Sequence, residues 1–397
     1  MNIIMNHIGY EPCGIKIALL QTETEICPAE ELQAKIIDAE NGRIAWTSLC
    51  SDSGAVDGWK NRYFYRFDFS SLRKPGTYNI RIACRSETMN SQPFEIRERL
   101  IADTCVSDIV FYYKSQRCSG LWDRADQNVP FWGDRPDRVD VHGGWYDAAG
   151  DYSKYLSHLS YANFFNPQQI PLVVWSLFET GEQLESVEPY RGMLLPHRTL
   201  EEAFWGADFL MRMQDPAGYF YTTVFDQWSK MPEERMICSF KTKQGHRLTD
   251  YQAGFRQGGG MAIAALARAS RVTSCPETHG EYTADEYRLA AVRAYDHLKR
   301  HNTEYLDNGR ANIIDYYCAL MAAVELFMTT SEDSYLHDAR DRADQLMALF
   351  SPWKGHWIVE EDSSRPFFHA SDEGLPLVAL VKYCNVEPDA DLRKAAA

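Results

Sequence analysis

Two common patterns are missing from this chain of 397 residues, and each absence excludes a class of protein. No stretch approaches the roughly 18 uninterrupted apolar residues of a transmembrane helix, so we predict that the chain does not span a membrane. Basic residues are in the minority, with 41 Lys and Arg against 56 Asp and Glu. Because phosphate binding requires clustered basic side chains, the formal charge of −15 argues against a nucleic-acid partner.

Signatures of metal, nucleotide and export sequences are also missing. The ten cysteines form no C-x-x-C pair and no zinc spacing, which indicates reduced thiols in a reducing compartment and no metal site. No P-loop, G-x-G-x-x-G, H-E-x-x-H or G-x-S-x-G motif is present, so we predict no cofactor. The N-terminus, Met1–His7, lacks a basic segment followed by an apolar one, which predicts a cytoplasmic protein.

The N-terminal part of the chain, residues 1–96, has the pattern of β-structure. Short alternating or β-branched runs are separated by turn signals such as Asn41-Gly42 and Pro75-Gly76. Alternation places Tyr65 and Phe67 on one face of a strand and Arg66 on the other. Six or seven short strands in such a length predict a small β-sandwich.

From Arg97 the pattern becomes helical, so we predict a second, all-α domain over residues 97–397. Thr199-x-x-Glu202 and Thr283-x-x-Glu286 have the form of capping boxes, each followed by apolar residues at helical spacing. Long helices joined by long loops favour an α/α toroid over a bundle with tight turns. The Gly258–Gly260 run is predicted to open a helix at Met261 through close packing.

The stretch most suggestive of chemistry is His142–Tyr155, which contains Asp147 and Asp151 separated by small residues only. Both carboxylates can therefore point into one cavity. Helical periodicity begins at about Ser153, which predicts that Asp151 lies near a helix N-terminus, where the ionised form is favoured. A carboxylate in that state suits a general base. The alternative is a capped helix start and an ordinary turn aspartate.

Aromatic residues near this stretch are candidates for sugar binding. Trp145, Tyr152 and Trp228 are predicted to stack on sugar rings, and His142 to hydrogen-bond a hydroxyl group. For each of these side chains, packing within the core or bracing of a loop is an equally good interpretation.

The sequence Gly-Gly-Trp-Tyr-Asp-Ala-Ala-Gly-Asp-x-x-Lys-Tyr at 143–155 closely resembles the signature of glycoside hydrolase family 9. The resemblance implies an (α/α)6 catalytic barrel preceded by an immunoglobulin-like domain, and it covers essentially the whole chain. It also implies that Asp151 is the base that deprotonates the attacking water and that Asp147 helps to hold this water.

One departure from the signature concerns substrate specificity. The family usually has Asp-Ala-Gly-Asp, and this chain has one additional alanine between the aspartates. The insertion is similar to that of one branch of the family, the exo-β-glucosaminidases and cellobiase-like enzymes. Residues 221–230 and 251–260 also resemble sequences of that branch.

A second departure concerns the general acid. The resemblance implies a Glu near the end of the barrel, following a segment that contains His and Arg, and neither is found before Ala397. We therefore expect a C-terminally truncated chain with an incomplete barrel, and an acid that lies beyond Ala397. The glutamates nearest to the expected position of the acid are Glu360, Glu361 and Glu373, but none of them lies in the family motif.

The sequence thus predicts a glycosidase that hydrolyses β-1,4 bonds with inversion. Its expected substrate is a short chitosan- or cello-oligosaccharide. Among the possible activities, exo-β-glucosaminidase is the first choice. The alternatives are a β-glucosidase or endoglucanase of the same family, or a fragment that binds sugar without catalysis. The oligomeric state is left open.

Overall fold

The computed structural model describes all residues except 27–28, 30–31, 56–59, 85–86, 149, 158–165, 241–245, 276, 362–363 and 369–371. The chain divides into two compact units, Met1–Ile109 and Val110–Ala397.

The first unit is a β-sandwich, as predicted. Its strands are β1 (Asn2–Ile4), β2 (Ile17–Thr22), β3 (Gln33–Asp38), β4 (Ile44–Ala55), β5 (Tyr63–Asp68), β6 (Gly76–Cys84), β7 (Glu87–Asn90) and β8 (Phe94–Ile96). They pair in the antiparallel order β1-β2-β5-β4-β3-β6-β7, with β8 also beside β6. The inward faces form one core, in which Tyr65 and Phe67 are fully buried and Arg66 faces outward, confirming the predicted alternation.

Strand β4 is, with β7, one of the two strands of this unit that the sequence pattern does not predict. It pairs with β3 and with β5, and its register shifts between Cys50 and Asp52. Most of its residues are exposed on both faces, so it carries no alternation of apolar and polar side chains. Its position between two strands is therefore decided by backbone pairing rather than by burial.

The second unit is predominantly helical, which confirms the predicted order of β-structure followed by helices. Its helices are α1 (Ser107–Ser115, which begins in the first unit), α2 (Gly120–Asp126), α3 (Ile170–Ser186), α4 (Leu194–Arg212), α5 (Gly259–Ala269), α6 (Ala284–His301), α7 (Ile313–Thr330), α8 (Asp333–Ala348), α9 (Leu375–Val386) and α10 (Ala390–Ala396).

The packing of these helices is that of a partial (α/α) barrel. Helices α3, α5, α7 and α9 contact one another in chain order. Each of them also packs against the helix that follows it in the chain, which is α4, α6, α8 and α10 respectively. The inner layer is the more apolar: every residue of α5 is buried, whereas α6 and α8 alternate buried and exposed faces. The described helices thus form successive inner and outer pairs, as expected for an incomplete barrel.

Helix α7 is long and apolar enough to cross a membrane by length and composition. Its mean hydropathy is 1.4, and 72% of the helix is buried inside the unit against α5, α8 and α9. Core helices have this composition because they are covered on all sides. Burial therefore accounts for its apolar character.

One of the two predicted capping boxes is correct. Thr283 Oγ1 accepts a hydrogen bond from the Glu286 amide at 3.3 Å, and the Glu286 carboxylate accepts from the Thr283 amide at 2.7 Å, so α6 begins where predicted. The other prediction is wrong, because α4 begins at Leu194, upstream of Thr199. Pro196 is accommodated in the first turn of that helix, where its missing N–H has no partner to lose.

The glycine run 258–260 opens α5, as predicted. Gly258 has φ of 98°, in the left-handed region, and the helix begins at Gly259. A Cβ on Gly260 would lie 2.7 Å from the Cβ of Cys318. The absence of side chains here therefore lets α5 approach α7 closely.

Short strands on the loops of the second unit position its polar residues. They are β9 (Val129–Pro130), β10 (Arg138–Val139), β11 (Lys154–Tyr155), β12 (Phe220–Tyr221), β13 (Thr223–Phe225), β14 (Met236–Phe240), β15 (Arg247–Leu248), β16 (Gln252–Ala253), β17 (Phe350–Ser351) and β18 (His356–Trp357). Strands β11, β13, β14 and β15 form one small antiparallel sheet. Because β11 and β13 are antiparallel, the residues just before β11 lie beside those just after β13.

Candidate active site

The two aspartates of the motif lie on opposite sides of a tight hairpin that runs from Asp147 to Ser153. The Asp147 amide donates to the Ser153 carbonyl at 3.0 Å, and the Asp151 amide donates to the Ala148 carbonyl at 3.0 Å. Gly150 has φ of 85°, a left-handed conformation that the chain reversal needs and that glycine adopts readily because it has no Cβ. Ala149, one of the two alanines between the aspartates, is outside the described residues. The hairpin brings the two carboxylates close enough to interact.

Asp151 does not lie at a helix N-terminus, so that prediction is wrong. The segment that follows it enters strand β11, because Lys154 and Tyr155 pair with Val224 and Thr223 of β13. Two donors replace the predicted helix dipole. The Ser153 amide donates to Asp151 Oδ1 at 2.9 Å, and the Trp228 indole N–H donates to Asp151 Oδ2 at 2.9 Å.

Asp147 has different surroundings from Asp151. By accessible surface Asp147 is exposed, yet the protein atoms around its carboxyl group remove part of its hydration. This desolvation raises the pKa of Asp147 to about 6, the charge of Asp151 raises it as well, and a hydrogen bond from Gln169 acts in the opposite direction. Gln169 directly precedes helix α3, and no sequence motif pointed to it.

Trp145 is placed in the core and not in a binding surface. The residue is 2% exposed, and its indole N–H donates to Glu202 Oε1 at 2.7 Å. A Cβ on Gly206 would lie 2.3 Å from the Trp145 ring, so helix α4 packs directly against it. This position leaves no ring face for a sugar, contrary to the predicted stacking role. The packing alternative describes Trp145 correctly.

The other predicted sugar contacts lie nearer to the surface. The Tyr152 ring stacks on Trp122 with centroids 4.4 Å apart and planes 18° from parallel. His142 Nδ1 lies 2.7 Å from Asp140 Oδ1, which braces its ring. Trp228 is 38% exposed, and its polar edge contacts Asp151. One face of Tyr152 is thus already occupied by protein, and Trp228 adjoins the predicted base.

A buried cluster of charges holds both sides of the aspartate hairpin. Lys154 Nζ lies 2.6 Å from Asp126 Oδ2 and donates to the carbonyl oxygens of Val141 and Gly143. Arg235 also binds Asp126, and it donates to the Tyr152 carbonyl at 2.7 Å. Burial acts to raise the pKa of Asp126, but the charges of Lys154 and Arg235 outweigh it and hold the pKa below its usual value.

These three side chains are at most 1% exposed, so the cluster is an internal support of the hairpin. Of its members, Lys154 belongs to the sequence motif, whereas Asp126 and Arg235 were not singled out. Isolated charged residues in a sequence give no sign of burial, because most of them lie at the surface. Only the fold shows that one carboxylate pairs with two cations here.

The structure brings together the two carboxylates predicted to be the base and its assistant, and we assign no general acid among the described residues. Glu361 and Glu373 are exposed and Glu360 is half-buried. In the described part of the chain, no three His, Cys, Asp or Glu side chains converge as metal ligands would. The chemistry that the site offers is therefore activation of a water molecule by one of two interacting carboxylates.

Comparison with known protein families matches both units. The family model described as Glycosyl hydrolase family 9 matches residues 103–367, and that described as Cellulase N-terminal ig-like domain matches residues 1–86.

Curated relatives and a solved structure show similarity along most of the chain. The cellulose 1,4-β-cellobiosidase of Acetivibrio thermocellus is 25% identical over 472 aligned positions, covering 99% of this chain and 48% of that protein. The xyloglucan-specific endo-β-1,4-glucanase of Bacteroides ovatus is 24% identical over 386 positions, covering 87% and 60%. A solved GH9 structure from Bacteroides ovatus has a TM-score of 0.60 at 19% identity, covering 99% and 70%, which shows the shared fold. The chain spans only about half to three fifths of the length of these curated relatives.

Proposed function

Because the chain belongs to glycosyl hydrolase family 9, we propose that it hydrolyses β-1,4-glycosidic bonds of short oligosaccharides with inversion at the anomeric carbon. The observation that carries this proposal is the hairpin that brings Asp147 and Asp151 together beside Trp228. In an inverting reaction one carboxylate deprotonates the attacking water, while a carboxylic acid roughly 6.5–9.5 Å away protonates the leaving oxygen.

In the proposed mechanism Asp151 is the base. Each of its oxygens accepts one hydrogen bond from the protein, and a carboxylate oxygen can accept a second. The remaining acceptor capacity is available to the water that attacks the sugar. Asp147 holds the same water from the other side, with its orientation set by Gln169. The general acid must come from another carboxyl group.

We propose glucosamine as the sugar at the cleaved bond, with glucose second. Two neighbouring carboxylates repel each other, and this repulsion contributes to the raised pKa of Asp147. A protonated amino group on the substrate would offset that repulsion, whereas a glucose hydroxyl group would not. The additional alanine between the aspartates supports the same choice. The two relatives described above, a cellobiosidase and a glucanase, support glucose instead.

The test is hydrolysis of the β-1,4 disaccharide of glucosamine, of cellobiose and of cellotriose by the purified chain and by a form extended at its C-terminus, since no general acid is assigned among the described residues. We expect the first to be cleaved fastest, with the α-anomer appearing first in proton NMR spectra. Asp151→Asn should abolish hydrolysis, and Asp134→Asn, at an exposed position of a neighbouring loop, should not.

Three results would contradict parts of the proposal. Release of the β-anomer would exclude inversion. Faster cleavage of cellobiose would exclude glucosamine as the first choice of sugar. If neither form cleaved any of the three substrates, the protein would not be a hydrolase of these bonds, and measured sugar binding would then favour a non-catalytic role.

A further inference from the structure

The loop after strand β13 has a backbone that these residues rarely adopt. Gln227, Trp228 and Lys230 have φ angles of 57°, 59° and 60°. All three are therefore in the left-handed region although none is glycine. In that region the contact between Cβ and the backbone is unfavourable. Such a conformation persists only where surrounding contacts impose it, and it is concentrated at functional sites.

The contacts that impose it begin at Asp226, which is 1% exposed. Its carboxylate accepts hydrogen bonds from Ser153 Oγ at 3.1 Å and from the Lys230 amide at 2.9 Å. The first of these ties the loop to the aspartate hairpin, and the second closes the loop on itself. Because the Ser153 amide also donates to Asp151, one residue links the loop to the predicted base.

The Trp228 side chain is held from two directions. Its ring packs edge to face against Phe225 and Phe240, with centroids 5.2 Å and 5.4 Å away and planes 85° apart in both cases. Its indole N–H donates to Asp151 Oδ2 at 2.9 Å. The apolar contacts fix the ring, and the ring in turn fixes the position of the donor.

We propose that Trp228 is a positioning residue, which sets the rotation of the Asp151 carboxylate through its indole N–H and does not act mainly as a platform for sugar stacking. This proposal rests on the proposed function. With the Ser153 amide on one oxygen alone, the carboxylate is free to turn about its Cβ–Cγ bond; a second donor on the other oxygen fixes its plane. The acceptor face is then directed at one place, as a base that takes a proton from a bound water requires.

Other ionisable groups also face Asp151. Asp147 lies across the hairpin. Asp226 is linked to Asp151 through Ser153, which hydrogen-bonds to both, and Tyr155 lies in strand β11, which follows the hairpin. Burial raises the pKa of Tyr155, and the charge of Asp151 raises it further, so Tyr155 stays neutral. Trp228 is thus the neutral donor on Asp151 that comes from outside the hairpin.

The kinetic test is Trp228→Phe, which retains an aromatic ring and removes the donor. We expect kcat to fall about 10- to 100-fold with KM changed less than about threefold, because misplacement of a base affects the transition state more than binding. The matched control is Trp46→Phe, which removes an indole of similar exposure, 36%, from the sandwich unit and should leave both constants unchanged. A raised KM with kcat intact would show stacking and overturn the proposal.

A second readout tests the hydrogen bond without substrate. In protein labelled with 15N-tryptophan, the Trp228 indole resonance, assigned by its loss in Trp228→Phe, should shift as pH passes through about 6, where Asp147 gains or loses the proton whose charge acts on Asp151. The shift should be lost in Asp151→Asn, and the Trp46 resonance should not move. A Trp228 resonance that is insensitive to Asp151→Asn would overturn the proposal. Wild-type protein that is inactive in both the given and the extended form would overturn the proposed function, whereas an active one with unchanged kcat in Trp228→Phe would overturn only the positioning role.

Discussion

Asp147 and Asp151 are the same kind of side chain four residues apart, and their surroundings give them different properties. Asp151 accepts one hydrogen bond on each oxygen from groups held by strand pairing and aromatic packing. Asp147 has Gln169 as its donor and a pKa raised to about 6 by desolvation and by Asp151. This difference agrees with one residue that removes a proton and another that orients the water.

The first prediction concerns the pH dependence of hydrolysis. Below about pH 6 Asp147 gains a proton and no longer accepts a hydrogen bond equally well on both oxygens. We therefore expect kcat/KM of the wild-type chain to fall as pH decreases through about 6. In Asp147→Asn the rate should be lower at pH 7, and this limb should be absent or moved to lower pH. If kcat/KM of the variant still fell as pH decreased through about 6, the titration responsible would belong to a group other than Asp147.

The second prediction concerns stability. The folded pKa of Asp147 lies above the value of an unfolded aspartate, about 3.9, so folding disfavours its ionised form. The resulting cost is absent below about pH 4, where both states are protonated, and complete above about pH 6. Asp147→Asn should therefore raise Tm relative to wild type at pH 7.5 and not at pH 4. An equal effect at both pH values would show that the carboxyl charge is not the cause.

At the scale of elements, helix α4 is joined to the motif loop through Glu202, which the sequence suggested was a helix cap. Glu202 is 1% exposed, accepts from the Trp145 indole, and pairs with Arg117 at 2.7 Å. Glu202→Ala should lower the free energy of unfolding by about 3–5 kcal/mol, because it leaves a partly buried guanidinium and a buried indole N–H without their acceptor. Chemical denaturation would measure the change.

The neighbouring residue provides the control. Glu201 has a side chain that is 51% exposed and contacts Lys114 and Arg117 at the surface. Since exposed ion pairs contribute about 0–1 kcal/mol, Glu201→Ala should have little effect. Equal losses in the two variants would contradict the view that burial of Glu202 is what matters.

Periodic elements were predictable from the sequence, and contacts distant in sequence were not. The capping box at Thr283 and the strand containing Tyr65 and Phe67 follow from spacing and alternation alone. The helix expected at Ser153 is a strand because pairing with β13 outweighs a weak local preference. Gln169 and Arg235 reach the site through the fold from positions without a motif, and no local pattern could locate them.

At the scale of the whole molecule, the net charge of −15 provides a test of the proposed sugar. An acidic protein attracts a protonated amino sugar and is indifferent to a neutral one, and added salt screens that attraction. We expect KM for the glucosamine disaccharide to rise about two- to fivefold between 20 mM and 500 mM NaCl at pH 6, and KM for cellobiose to stay constant. Equal salt responses for the two sugars would show that charge does not select the substrate.

The hairpin between Asp147 and Ser153 also has a consequence for how such loops change length. Its outer hydrogen bond, from the Asp147 amide to the Ser153 carbonyl, encloses Ala148 and Gly150, while the Ser153 amide that supports Asp151 lies at the far end of the hairpin. Residues gained or lost at the tip leave that support in register. One residue inserted between Asp151 and Lys154 would instead reverse which side of the strand each residue faces. The tip is therefore the position at which length can vary over generations without displacing Asp151, the proposed base.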